Sequence, residues 1–321
     1  MQETNGIRIR VSYNKLWKLM IDKNIKKGQL QAAIGVSKGT MAKMGKNENV
    51  SLSVLLSICE HLNCDFGDII EAVPIEKSSE ANPAPYYLAY ESRYQKVFSA
   101  GATCWGHSQD DDILIRALSR WVADNNLKGK RIIEYACGEG SCGIILSKLG
   151  CIYHGVDIAP SAVEHASHAL AGYPSASVSQ LDMVKERVNE KYDATLDVMG
   201  LHMLVTDDDR RKYLANVSGS LKSGSPALFF RENYRKDAYS GPVASFDEWK
   251  QISGSDYETP EPRKVGQSDI VINIPLVPAR AKNKADYIAE MEAAGFVVDE
   301  FIEMDINMQC PYSASIYVHK K

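Results

Sequence analysis

The sequence holds no run approaching the roughly 18 uninterrupted apolar residues that span a bilayer, which argues against a transmembrane helix. Met1 to Arg10 has charges and polar residues but no apolar core segment, so no secretory signal is expected there. The seven cysteines are odd in number and follow no regular framework. In a chain of 321 residues, long enough to bury its own core, reduced thiols in a cytoplasm are the simplest expectation. Internal repeats and low-complexity tracts are missing as well. Hydrophobic residues at 45% and charged residues at 24% exclude a collagen-like, fibrous or mostly disordered chain.

Charge is unevenly spread. Residues 1–73 carry ten Lys/Arg against seven Asp/Glu, and the remainder carries 27 against 34. A mildly basic head on an acidic body permits nucleic-acid contact by the head alone. At roughly 100–200 residues per domain, the length is a prior for two domains. The polar stretch from Pro74 to Pro85, broken by prolines, cannot continue a helix and marks the boundary. The expected division is 1–73 as a first domain, 74–89 as a linker and 90–321 as a second domain.

Residues 12–73 read as five short helices. Ser12, Ser37, Ser51 and Asp65 stand where helix N-caps belong, and Gly35 where a helix ends in a left-handed residue. Leu16, Leu19 and Met20, then Met41 and Met44, then Leu52, Leu55, Leu56 and Cys59 recur at helical spacing. The stretch Leu30-Gln31-Ala32-Ala33-Ile34-Gly35-Val36-Ser37-Lys38-Gly39-Thr40-Met41 resembles the helix-turn-helix of the phage Cro and repressor family. In that reading small Ala32 lets the two helices approach, Gly35 makes the turn and Val36 fills the gap. The resemblance implies a small all-α domain that binds double-stranded DNA, with the helix after Ser37 in the major groove. Lys38, Thr40 and Lys43 are then the expected contacts to bases or phosphates, and a homodimer would read paired half-sites. Gly39 and Gly45 weaken that helix by up to about 1 kcal/mol each relative to Ala. A helical domain used for protein contact is the alternative reading of the same residues.

From residue 109 the pattern alternates. Helix-like Asp110–Asn126 precedes a strand at Arg131–Ala136, a helix at Ile144–Leu149 and a strand at Cys151–Val156. Ser161–Ala171 is again helical, Ala176–Leu181 and Ala194–Met199 extended, Asp207–Leu221 helical and Ala227–Phe230 extended. Such alternation implies an α/β fold with parallel strands and helices on both faces. Phe296–Ile302 and Ser313–Val318 have no helix between them and are expected to form an antiparallel hairpin at the sheet edge.

The turn Glu134-Tyr135-Ala136-Cys137-Gly138-Glu139-Gly140-Ser141-Cys142-Gly143 lets a ligand approach the backbone at a helix start. Taken literally, Gly138, Gly140 and Gly143 match G-x-G-x-x-G, which points to NAD or FAD. Three acids favour S-adenosylmethionine instead. Glu134 attracts a cationic aminoacyl group and would repel a pyrophosphate. Asp157 ends the second strand, where a carboxylate accepts both ribose hydroxyls, as it would for NAD too. Asp182 follows the third strand, placed to accept from an adenine amino group while Met183 packs on the ring. With these residues the body resembles the class I S-adenosylmethionine-dependent methyltransferases, from about Tyr90 to the C-terminus. The resemblance implies a Rossmann-like sheet with a C-terminal antiparallel hairpin. It also implies cofactor contacts at Glu134, Ala136, Gly138, Gly140, Asp157, Ile158, Asp182 and Met183. Ala136 stands where the family usually has its first glycine.

The fourth strand runs into Asp197-Val198-Met199-Gly200-Leu201-His202. Asp197 is placed on the cofactor side, as inward-facing structure or a carboxylate behind the contacts. His202 is the candidate base near the methyl group, because imidazole titrates near neutrality; a packed loop histidine is the alternative. Upstream, Tyr94 and Trp105, together with Tyr90, either cover the cofactor or belong to plain core. An insertion at about 233–281, with a strand near Ile270–Ile274, is expected to act as a lid that selects the acceptor.

DNA is not the expected substrate. The loop after the fourth strand has no proline and no aromatic clamp for a flipped base, and Gln309-Cys310-Pro311-Tyr312 reverses the order of a Pro-Cys nucleophile. Cys137 and Cys142 lack metal-site spacing, so both are expected to be small buried residues and no metal is expected. Two function classes remain: a small-molecule methyltransferase joined to a DNA-binding regulator head, or a transcription factor whose body senses S-adenosylmethionine or a metabolite without turnover.

Overall fold

The computed structural model describes residues 9–23, 25–45, 48–74, 84–102, 105, 107–265, 268–304 and 312–321. The chain divides into two compact units, Met1–Pro83 and Ala84–Lys321.

In the first unit, strand β1 (Ile9–Ser12) leads into helices α1 (Asn14–Asp22), α2 (Lys27–Ile34), α3 (Lys38–Gly45), α4 (Leu52–Leu62) and α5 (Phe66–Ile69), and β2 (Glu71–Pro74) closes the unit. Ser37 Oγ accepts the Thr40 amide at 3.1 Å, so α3 starts where its N-cap allows. Asp65 and Asp68 form a reciprocal capping box at α5. Tyr13, Leu16, Leu30, Met44, Ile58 and Ile69 meet in one core, drawn from all five helices and the segment ahead of α1. Two features depart from the sequence reading. β1 and β2 pair antiparallel from Ile9 opposite Pro74 to Ser12 opposite Glu71, so the unit is helical with a two-stranded tie. Ala32 is exposed, so it does not make the helix contact expected of it; Leu30 is the buried residue of α2.

The second unit opens with a 3₁₀ turn (Tyr86–Leu88) and helices α6 (Ala89–Ser99) and α7 (Asp112–Asp124). Strands and helices then alternate: β3 (Arg131–Tyr135), α8 (Ser141–Lys148), β4 (Ile152–Asp157), α9 (Pro160–Ala169), β5 (Ala176–Gln180), β6 (Ala194–Val198), α10 (Asp207–Ser220) and β7 (Pro226–Asn233). A short 3₁₀ turn, Leu201–Met203, lies between β6 and α10. After β7 come α11 (Phe246–Ser253), β8 (Glu261–Lys264), β9 (Val271–Ile274), α12 (Lys284–Ala293), β10 (Phe296–Met304) and β11 (Ser313–Lys320).

The main sheet has the order β10-β11-β7-β6-β3-β4-β5. β7, β6, β3, β4 and β5 are parallel, while β11 is antiparallel to β7 and β10. The alternation of side chains along a strand fills both faces. Ile133 and Phe229 enter one core with Leu214, Val217 and Met291. Their neighbours Ile132 and Leu228 enter the other with Leu118, Trp121 and Ile145. The chain winds from β3 outward to β5, then returns to the other side of β3 as β6. A crevice opens at the carboxyl ends of the strands where that reversal occurs. β8 and β9 form a separate antiparallel ladder inside the insertion. Helices α6, α11 and α12 were not expected from the sequence. No described helix is long and apolar enough to cross a membrane.

Candidate functional site

Three neighbouring strands of the sheet turn sharply at their carboxyl ends. Ala136 after β3, Met199 after β6 and Arg231 near the end of β7 have φ of 55°, 65° and 60°. Each is a non-glycine residue in the left-handed region, a conformation that costs of order 1–3 kcal/mol and clusters at functional sites. At this edge lies a cavity of about 500 Å³. Tyr87, Tyr90 and Tyr94 form one wall, and Ala136, Asp157, Ile158, Met183, Gly200 and Met203 are among the residues opposite.

Asp157, the last residue of β4, is buried. Its Oδ2 accepts the Gly138 amide and its Oδ1 the Ala159 amide, both at 2.9 Å. Burial pushes its pKa up to about 6, while the backbone donors pull the other way. Gly138 has φ of 51°, and a Cβ there would lie 2.8 Å from the Tyr94 hydroxyl. Only glycine lets the turn and the tyrosine wall meet. Gly140 is the N-cap of α8. Met183 Sδ accepts the Ala136 amide at 3.0 Å, tying the loop after β5 to the turn after β3.

Five expected site residues do not line the cavity. Glu134 is buried and accepts the Tyr153 hydroxyl at 2.5 Å. Burial pushes its pKa up to about 8. Asp182 organises its own loop, accepting the Val184 amide at 3.1 Å and the Tyr87 hydroxyl at 3.2 Å. Asp197 accepts the Gly200 amide at 2.6 Å and the Tyr213 hydroxyl at 2.7 Å, and burial raises its pKa well above the usual carboxylate range. Trp105 donates its amide to the Glu139 carboxylate, and its ring lies 3.5 Å from the Arg93 guanidinium. His202 sits in the 3₁₀ turn between the lining residues Gly200 and Met203.

His202 is held from several directions. Glu232 Oε2 accepts its amide at 2.7 Å and lies 3.0 Å from its Nδ1, and its carbonyl accepts the Arg280 amide at 2.8 Å. Arg210 Nη1 donates to the Leu201 and Leu204 carbonyls at 2.8 and 3.1 Å, fixing the same turn, while Glu290 neutralises it. The sequence gave no sign of Glu232, Arg210 or Arg280, since isolated charges beside polar neighbours read as surface. Cys137 and Cys142 are buried, with burial raising both thiol pKa values. In the first unit Thr40 Oγ1 is 3.0 Å from Ser37 Oγ, within the cap of α3, and Lys43 is exposed. The Lys38 side chain lies outside the described residues.

Comparison with known proteins separates the two units. Residues 15–74 match the Cro/C1-type HTH DNA-binding domain, and residues 133–227 match a methyltransferase domain. The head belongs to the Cro/C1-type family, and the body is a methyltransferase domain. The transcriptional regulator VanUg is 68% identical, covering 23% of this chain and 99% of its own; that likeness rests on sequence, since the TM-score is 0.22. A S-adenosylmethionine-dependent methyltransferase from Clostridium acetobutylicum is 16% identical at a TM-score of 0.50, covering 73% of this chain and 98% of its own. Magnesium protoporphyrin IX methyltransferase from Synechocystis with bound SAM matches equally, with 16% identity, a TM-score of 0.50 and coverages of 75% and 99%. Both show the fold. The ribosomal protein L11 methyltransferase of Aeromonas salmonicida is 27% identical over 146 residues, 42% of this chain. The chain spans about half the length of the curated relatives it matches (48% for this one).

The methyltransferase domain's cavity fits S-adenosylmethionine. Asp157 keeps lone pairs for two hydroxyls after accepting two amides. Met183 and Ile158 offer apolar surface for a base, and the Gly138 turn leaves backbone open beneath the tyrosine wall. Neighbours with bound cofactor support the same assignment.

Proposed function

We propose that the methyltransferase domain methylates a small molecule, using S-adenosylmethionine held by Tyr94, Ala136, Gly138, Gly140, Asp157, Ile158 and Met183, while the head binds double-stranded DNA. The observation that carries this reading is the cavity itself: tyrosines from the 3₁₀ turn and α6 wall a space of about 500 Å³ against the strand ends, a size suited to a nucleoside and a compact acceptor. When bound, the cofactor supplies an electrophilic methyl group on a sulfonium. The chain's part is to align and desolvate the acceptor and to remove its proton. Asp157 fixes the ribose, and Asp197 braces the Gly200 turn beside it. His202, with Nδ1 held by Glu232, presents Nε2 as the proton acceptor, and Glu232 stabilises the imidazolium that forms. Two features favour an enzyme over a sensor without turnover: this buried His–Glu pair beside the cavity, and the strained strand ends.

The deciding experiment is calorimetric titration with S-adenosylmethionine, with NAD in parallel, followed by an acceptor screen that reads S-adenosylhomocysteine release. The wild-type chain is expected to bind the sulfonium and not NAD, and Asp157→Ala to weaken that affinity at least tenfold. With an acceptor in hand, His202→Ala is expected to lower kcat by about 10²-fold or more while leaving cofactor affinity in place. NAD binding in place of the sulfonium would sink the assignment.

A further inference from the structure

Arg93 is an anomaly in the wall of the methyltransferase cavity. It lies on α6 between Tyr90 and Tyr94, both of which line the cavity, and positions 90, 93 and 94 share one helix face. Its guanidinium stacks 3.5 Å from the Trp105 ring and 5.5 Å from the Tyr90 ring. Among the described residues it makes no hydrogen bond and no ion pair, and its Nε is fully buried without a partner. Burial lowers its pKa to about 10, so it stays charged at neutral pH. A buried cation is normally paired; one left unpaired is costly and marks the place of a missing anion.

A single carboxylate stands nearby. Glu139, buried between Gly138 and Gly140, accepts the Trp105 amide, and its charge acts on both Arg93 and Tyr94. Trp105 thus joins the two: its ring covers the guanidinium and its amide holds the carboxylate. A site that pairs one cation with one anion repels a phosphate dianion as much as it attracts it. It matches a zwitterion whose two charges lie a few bonds apart, which is the chemistry of an α-amino acid.

We propose that Arg93 and Glu139 recognise the aminoacyl end of S-adenosylmethionine, Arg93 taking the carboxylate and Glu139 the ammonium. This rests on the methyltransferase reading above and moves the role expected of Glu134 to Glu139, five residues along the turn. Glu134 is turned to Tyr153 and is not in the cavity wall. Arg263 on β8, which also has a buried Nε without a partner and lies near enough to act on Arg93, brings the insertion to the same end of the cavity.

The test compares two thioether ligands of the full-length chain by calorimetry: S-adenosylhomocysteine and methylthioadenosine, which lacks the aminoacyl end. Wild type is expected to prefer S-adenosylhomocysteine. Arg93→Met and Glu139→Gln are each expected to lose at least tenfold in affinity for it with methylthioadenosine binding intact, and Arg93→Lys to recover part of the loss. Equal weakening of both ligands in the variants would mean a structural role and overturn the proposal, as would unchanged S-adenosylhomocysteine affinity. A wild type that binds neither ligand defeats the underlying cofactor reading, a result distinct from either.

Discussion

A carboxyl group buried at the end of a strand stays ionised only when donors are aimed at it. Asp157 has two backbone amides and settles near pH 6, whereas Glu134, facing one tyrosine hydroxyl, is pushed up to about 8 from an ordinary value of 4.5. Two acids that look alike in the sequence therefore differ in protonation at neutral pH, which no spacing rule distinguishes. The consequence for stability has a definite sign. Below pH 4.5 Glu134 is protonated in both folded and unfolded chains. Between pH 4.5 and 8 the unfolded chain ionises it while the fold keeps it neutral, so folding loses about 1.4 kcal/mol per pH unit across that window and no more above it. Glu134→Gln keeps an acceptor for the Tyr153 hydroxyl and removes the proton linkage. Its unfolding temperature is expected to exceed that of wild type at pH 8 and to converge with it near pH 5, measured by scanning calorimetry. A wild-type advantage at pH 8 would show that the carboxyl is ionised in the fold.

Elements were legible wherever periodicity and punctuation agreed. The parallel strands stand out as apolar runs because both of their faces are covered, and the helix-turn-helix stands out because Gly35 and Ser37 end one helix and start the next. Helix α6 was not legible as an element, since Tyr90, Arg93 and Tyr94 mix aromatic and charged residues on the face that walls the cavity. Helix α12 was hidden for a related reason: its Glu290 pairs with Arg210 across the fold, and a charge with a distant partner reads as solvated surface. Within the head, the same substitution has opposite expected signs at two glycines. Gly35 has φ of 67°, so Gly35→Ala forces a methyl into the left-handed region and is expected to destabilise the head by about 1–2 kcal/mol. Gly28 lies inside α2 with open space around it, so Gly28→Ala is expected to stabilise by up to about 1 kcal/mol. Urea unfolding of the full chain followed through Trp17, in α1 of the head, by its fluorescence, with the body's transition tracked separately, reads both changes. Equal signs would mean that the turn at Gly35 is not left-handed in solution.

At the scale of the whole molecule, the question is whether a DNA-binding head and a methyltransferase body inform one another. Thermodynamic linkage makes it measurable: if cofactor binding changes operator affinity by some factor, operator binding must change cofactor affinity by the same factor. A sensor without turnover needs that factor to be large, because a ligand with equal affinity for two states shifts nothing. The cavity is lined entirely by residues of the Ala84–Lys321 unit, and the groups proposed to hold the cofactor and take the proton all lie between Tyr94 and Glu232. Cofactor binding so described asks nothing of the head. The expected factor is therefore close to one, measured on a duplex selected from a random pool by the full chain. Its affinity would be titrated with and without saturating S-adenosylhomocysteine, and the cofactor titration repeated with and without the duplex. A reciprocal factor of five or more in both directions, with no S-adenosylhomocysteine released against any acceptor, would favour the sensor over the enzyme.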